Sequence, residues 1–181
     1  MANHPPSHYP DIGQLGEDLV TQWLQSTGWL ILHRRFSCRW GEIDIIAQYQ
    51  GEQVEEQGAG EPGCRGAGVQ GSIALSTQHS TLAFVEVKTR SPGNWDAGGR
   101  SAITLQKQTK LWRTAEIFLA KYPDKADYPC RFDVAIVSCQ QISALPTQIT
   151  SAQNTLFSSS VAGYEFHLQE YIPAAFDCLI D

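Results

Sequence analysis

The chain has 181 residues, of which 42% are hydrophobic, a formal net charge of -6 and a pI near 5.3. That length predicts a single domain over residues 1–181 with a sizeable core, and the acidic balance excludes a general nucleic-acid coating protein, whose affinity rests on excess lysine and arginine. No apolar run approaches the ~18 residues of a membrane span, and the opening "MANHPPSHYPD" lacks the basic start and apolar stretch of a signal peptide, so a cytoplasmic address is expected.

Residues 1–10 read as a flexible tail. From Asp11, the spacing of Ile12, Leu15, Leu19, Val20 and Trp23 follows the helical period, with Asp11 as N-cap and Gly28 as stop. Glu17 shares a flank with Gly13, Val20 and Leu24, so it need not point into water. "WLILHRRF" at 29–36 and "EIDIIAQYQ" at 42–50 read as strands of a hairpin joined by "SCRWG". Residues 51–80 then change character: seven glycines fall between Gly51 and Gly71, glutamates cluster and large apolar residues are scarce, which predicts a disordered or loosely packed insertion. Within it "GAGVQG" at 66–71 matches a dinucleotide fingerprint but follows no strand, so it carries no cofactor expectation.

"TLAFVEVKT" at 81–89 is the clearest strand, "SPGNWDAGGR" a loop, and a second helix is predicted from about Thr104 to Tyr122, with Leu111, Ala115, Phe118, Leu119 and Tyr122 as its stripe and Pro123 ending it. "RFDVAIV" at 131–137 is a further strand, and "GYEFHLQEYIPAAFD" predicts a short edge strand and a final helical turn. The order α-β-β-β-α-β predicts an α/β fold with helices packed on a mixed sheet. Cys38, Cys64, Cys130, Cys139 and Cys178 form no C-x-x-C pair and read as reduced thiols, and no two histidines have zinc-site spacing on a helix.

Two strands carry ionisable residues where a core strand is normally apolar. Alternation places Phe84, Glu86, Lys88 and Arg90 on one face of their strand and Ala83, Val85, Val87 and Thr89 on the other, the latter being the predicted core face. On the preceding strand, Ile43 and Ile45 are expected to share one face and Asp44 to occupy the other, so strand pairing brings Asp44 beside Glu86. Neighbouring carboxylates repel unless a cation lies between them. Convergent Asp and Glu oxygens without Cys or His suit a hard ion, Mg²⁺ or Mn²⁺, and a lysine beside it points to phosphodiester hydrolysis. The plain alternative is a half-exposed strand whose Glu86 and Lys88 face solvent, with Asp44 capping a turn. From Lys88 to Arg113 six basic residues stand against one acid, Asp96, so this stretch is locally positive.

"GEIDIIA", "FVEVKTR", "ITLQKQTKL" and "RFDVAIV", in that order, resemble the YraN-like family of bacterial proteins. The resemblance covers nearly the whole chain outside the tail and the insertion. It implies a restriction-endonuclease-like core, similar to archaeal Holliday-junction resolvases and the PD-(D/E)xK nucleases. On that pattern Asp44 matches the metal-binding aspartate, Glu86 the second acidic residue, Lys88 its lysine, and Glu17 of "GQLGED" the helix glutamate of resolvase-like members. Lys107 near the start of the second helix and Arg90 are drawn in as phosphate contacts. No proline precedes Asp44, Arg35 stands where the family usually has asparagine, and residues 51–80 lengthen a connection that is normally short.

The expectation is a Mg²⁺- or Mn²⁺-dependent nuclease-fold protein acting on DNA or RNA, with branched structures among the candidate substrates. Asp44, Glu86 and Glu17 are the expected metal ligands, and resolvases of this kind act as dimers. A non-catalytic nucleic-acid adaptor that retains the fold is the alternative. A third reading is an interaction protein that recruits a partner through its insertion and tail, with Trp95 and Trp112 at the contact.

Overall fold

The computed structural model describes residues 10–50, 80–91, 103–142 and 155–177. The first helix, α1 (Ile12–Ser26), begins where the Asp11 side chain accepts a hydrogen bond from the Gln14 N–H at 3.1 Å. It ends before Gly28, whose φ of +88° is the left-handed conformation that glycine adopts without strain. The second, α2 (Leu105–Lys121), is capped by Thr104, which accepts from the Lys107 N–H at 3.3 Å. Both boundaries follow the capping chemistry legible in the sequence. No described helix is long and apolar enough to cross a membrane.

Among the described residues six strands form one mixed sheet: β1 (Trp29–Cys38), β2 (Gly41–Tyr49), β3 (Thr81–Arg90), β4 (Cys130–Gln141), β5 (Phe157–Val161) and β6 (Tyr164–Phe176), in spatial order β1-β2-β3-β4-β6-β5. Among these strands only β3 and β4 are parallel, and α2 lies in the crossover between them, as a parallel pair requires. This is the α/β architecture with a mixed central sheet flanked by helices, compatible with a restriction-endonuclease-like core.

The two helices cover opposite faces of the sheet. Leu19, Val20 and Leu24 of α1 pack on Ile45, Ala47, Ala83, Val85, Ala135 and Val137. Leu111, Ala115 and Phe118 of α2 pack on Ile46, Leu82, Phe84 and Phe132. Both faces of β3 are therefore core, whereas alternation alone predicted only the Ala83/Val85 face. Ile43 also departs from simple alternation: it packs with Ile46 under α2, not with Ile45 under α1.

The C-terminal expectation is corrected. The run around "YEFHLQEYIPAAF" is a 13-residue strand, β6, which lies between β4 and β5 rather than at the edge and contains no helical turn. The edge strand on this side is β5, joined to β6 through Ala162 and Gly163, which both have positive φ, as a two-residue type I′ hairpin demands. β6 accommodates Pro173 through an irregular register against β4, with Ala174 at φ +47°.

Residues 51–79, including "GAGVQG", fall outside the described residues, as do 1–9 of the expected tail and Trp95. Ser80, grouped with the insertion by composition, is buried and accepts a hydrogen bond from Gln48 Nε2 at 3.4 Å. Trp112 packs against the α2 layer of the core, which fits an anchor better than an exposed contact residue.

Candidate functional site

The β2–β3 ladder pairs Tyr49 with Thr81 and runs to Ile45 with Val85. Beyond that point Asp44 leaves the regular pattern: its Oδ2 accepts the Val87 N–H at 2.7 Å. The aspartate thereby closes the gap where two strands separate, and lies close enough to Glu86 for the two charges to interact. Burial first, then the negative charge of Glu86, raise the Asp44 carboxyl from its ordinary 3.8 to about 7; the Val87 N–H pulls in the opposite direction.

Glu86 is 2% exposed. The plain reading in which Glu86 faces solvent is thus overturned, because α2 covers the face on which it stands. Lys88 Nζ donates to Glu86 Oε1 at 2.6 Å, and Lys107 Nζ stands 2.8 Å from Oε2. The second contact is an ion pair without hydrogen-bond geometry, so Oε2 has no hydrogen-bond partner among the described residues. Two cations brought in from β3 and α2 offset a desolvation that would otherwise cost several kcal/mol (about that scale for one buried ion). Both lysines stay about a third exposed, at 32% and 31% of the side chain, and so remain open to solvent.

Glu17 reaches the same region from α1. It is 9% exposed, with Arg35 Nε and Arg34 Nη2 at 3.9 and 3.8 Å from its Oε2, too far for hydrogen bonds. Burial raises its carboxyl above the usual range, while Arg35 and then Arg34 oppose the shift. Arg35 itself has φ +51°, in the region that asparagine tolerates better than arginine, which gives a physical reason for the asparagine expected there.

Gly16 and Thr89 were not singled out by sequence reasoning. A Cβ on Gly16 would lie 1.9 Å from Thr89 Oγ1, so only glycine lets α1 approach β3 this closely and carry Glu17 inward. A glycine inside a helical pattern was the available signal. The buried oxygens without hydrogen-bond partners among the described residues are Glu17 Oε2, Glu86 Oε2 and Thr89 Oγ1, all on α1 or β3 at this site.

The donor set is all oxygen, and a site of one or two carboxylates with waters and substrate phosphate is how Mg²⁺ is usually held. The repelling, raised Asp44 carboxyl and the oxygens of Glu86 and Glu17 that have ion pairs but no hydrogen bonds among the described residues fit such an ion. No three Asp, Glu, His or Cys side chains among the described residues already stand together as a metal cage. Arg90 closes β3 opposite Ser138 of β4, one alternation beyond Lys88. Lys107, expected at phosphate, instead spends its side chain on Glu86. Two clefts of the described surface are lined by residues such as Gln108, Arg113, Ile172 and Phe176 and contain none of these groups.

The family described as "Uncharacterised protein family UPF0102" matches residues 16–137, which contain every residue of the site. A UPF0102 protein of Trichormus variabilis is 60% identical over 171 residues, covering 94% of this chain and 97% of the relative. One from Nostoc sp. is 58% identical over 170 residues, covering 94% and 96%, and one from Trichodesmium erythraeum is 42% identical over 187, covering 94% and 91%.

Proposed function

The chain belongs to the UPF0102, or YraN-like, family, and from that premise we propose that it binds nucleic acid and hydrolyses phosphodiester bonds with the help of Mg²⁺ or Mn²⁺. The observation that carries this reading is Asp44 and Glu86, 42 positions apart, meeting in a buried site with Lys88 on the glutamate. A bound divalent ion supplies an acidified water and offsets charge on the phosphate. Asp44 and Glu86 would hold that ion, with Glu17 oriented toward it by Arg34 and Arg35. Lys88, hydrogen-bonded to Glu86, offers positive charge to the phosphate as negative charge builds there. Lys107 and Arg90 would position the flanking strand, Lys107 by exchanging Glu86 for a phosphate oxygen. The homodimer implied by the resolvase resemblance is part of the same reading.

The test is a panel of labelled single strands, duplexes, flaps and four-way junctions of DNA and RNA, incubated with Mg²⁺ or Mn²⁺. Cleavage should require the metal and fall at least about a hundred-fold in Glu86→Gln and Asp44→Ala, the scale of losing a principal electrostatic contributor. Full activity in either variant, folded by circular dichroism, would remove the mechanism. A non-catalytic adaptor is favoured by one observation: both oxygens of Glu86 are already neutralised by lysines. Metal-independent binding without turnover across the panel would select it.

A further inference from the structure

Trp40 sits in the two-residue turn between β1 and β2, 37% exposed, with two guanidinium groups on its ring: Arg39 at 4.9 Å and Arg113 of α2 at 4.4 Å from the centroid. Neither arginine forms an ion pair among the described residues. Two like charges drawn to one aromatic ring, with no ion-paired carboxylate among the described residues, concentrate positive potential on a chain that is acidic overall. Cation-π attraction holds them there, and an anion brought alongside would relieve their repulsion.

The turn is also fixed in place. Trp40 N–H donates to Cys38 Sγ at 3.4 Å, Cys38 Sγ lies 3.5 Å from Thr114 Oγ1, and a Cβ on Gly41 would stand 3.4 Å from Lys110 Cβ. The hairpin tip therefore rests on the middle of α2. Lys107, Lys110 and Arg113 follow one another at single-turn spacing along that helix, from Glu86 to the Trp40 ring. Six residues of α-helix rise about 9 Å, between two and three steps of a stacked strand at about 3.4 Å each.

We propose that Trp40 is a stacking platform for an unpaired nucleobase two or three nucleotides from the phosphate at Glu86, the base replacing one of the two guanidinium groups on the ring as that arginine turns to a backbone phosphate, so that the chain selects strands with single-stranded character. The inference rests on the nucleic-acid reading above and names its substrate class. A duplex base is already stacked on both faces and cannot use the ring, whereas a single strand, flap or junction arm can. Lys110 and the two arginines would meet the backbone phosphates on either side.

The test measures binding of the whole chain in EDTA, where cleavage plays no part, to single-stranded and duplex oligonucleotides of DNA and RNA carrying 2-aminopurine at successive positions. Wild type is expected to quench the probe at one position of the single strand. Trp40→Leu, which keeps the bulk but loses the aromatic face, should remove that quench and weaken single-strand binding about ten-fold or more, while changing duplex binding less than about two-fold. Trp40→Phe should retain most of both signals, and Arg39→Gln or Arg113→Gln should each lower the slope of log affinity against log salt by about 0.7. Unchanged single-strand binding in Trp40→Leu, equal losses on single strand and duplex, or a ring that mediates only self-association would overturn the platform. Cleavage that survives Trp40→Leu on every single-stranded substrate sinks the platform alone. Trp40-dependent binding by a wild type that never cleaves sinks only the hydrolytic reading.

Discussion

Asp133 and Glu86 are buried carboxylates on adjacent parallel strands, 0% and 2% exposed, yet their surroundings differ in kind. Asp133 accepts from Arg131 Nε at 3.0 Å, Tyr171 Oη–H at 2.7 Å and the Ala174 N–H at 2.9 Å. It ties β4 to β6 where the ladder shifts register, and holds Ala174 in its positive-φ conformation. Glu86 has a single aligned hydrogen bond, from a lysine that is itself partly exposed, and it faces the repelling carboxylate of Asp44. A saturated buried carboxylate is a structural tie; an undersaturated pair has capacity left for a ligand.

Removing the tie should have the largest effect on stability. Asp133→Ala leaves the Tyr171 hydroxyl, the Ala174 N–H and the Arg131 charge unmatched, and is expected to destabilise the fold by about 3–5 kcal/mol in urea titration. Nucleic-acid binding per folded molecule should survive it. A loss of binding without a loss of stability would make Asp133 part of the site and erase the contrast.

Next in size is the close approach that brings Glu17 to the site. Gly16→Ala should cost about 1–3 kcal/mol by overpacking against Thr89, and Thr89→Ala should recover part of that loss. A double-mutant cycle measures the coupling. Simple additivity would show that α1 can shift, and that its contact with β3 does not fix Glu17.

The effect that is smallest per pH unit, though it accumulates across the window, tests the Asp44–Glu86 pair. The folded Asp44 carboxyl titrates near 7 and the unfolded one near its ordinary 3.8, so between those values the folded chain holds the extra proton. Stability should therefore fall as pH rises across that window, by at most about 1.4 kcal/mol per pH unit. Asp44→Asn should flatten the slope in thermal melts, leaving the remainder of the same sign from the raised Glu17 carboxyl. An identical slope in both proteins would show that Asp44 is not held at raised pKa by its neighbours.

Much of this was legible from residues. Asp11 and Gly28 bound the first helix because capping is local chemistry, the expected start near Thr104 is where the structure has its cap, and period-two alternation locates β3. β5 is not predicted because "FSSSV" has little apolar pattern, and the short edge strand and helical turn expected near the C-terminus are instead one long strand, which continues past Pro173 on an irregular ladder. Among the proposed site residues, alternation brings Asp44 near Glu86 and puts Lys88 on the same side of β3, while the burial of Glu86 and the turn of Asp44 to the Val87 N–H come from packing. Lys107 was named for phosphate and is found on Glu86, since its side-chain partner is set by how α2 packs on the sheet.

Sequence by itself determined which chemical groups are available: oxygen donors on β2, β3 and α1, lysines on β3 and α2, and no paired Cys or His motif. Residue identity and short-range periodicity fix those. Only the tertiary structure decided that α2 covers the Glu86 face, that Asp44 turns to the Val87 N–H, and that Arg113 meets Trp40. Each depends on contacts between segments far apart in the chain, whose geometry follows from packing both faces of one sheet rather than from any local pattern.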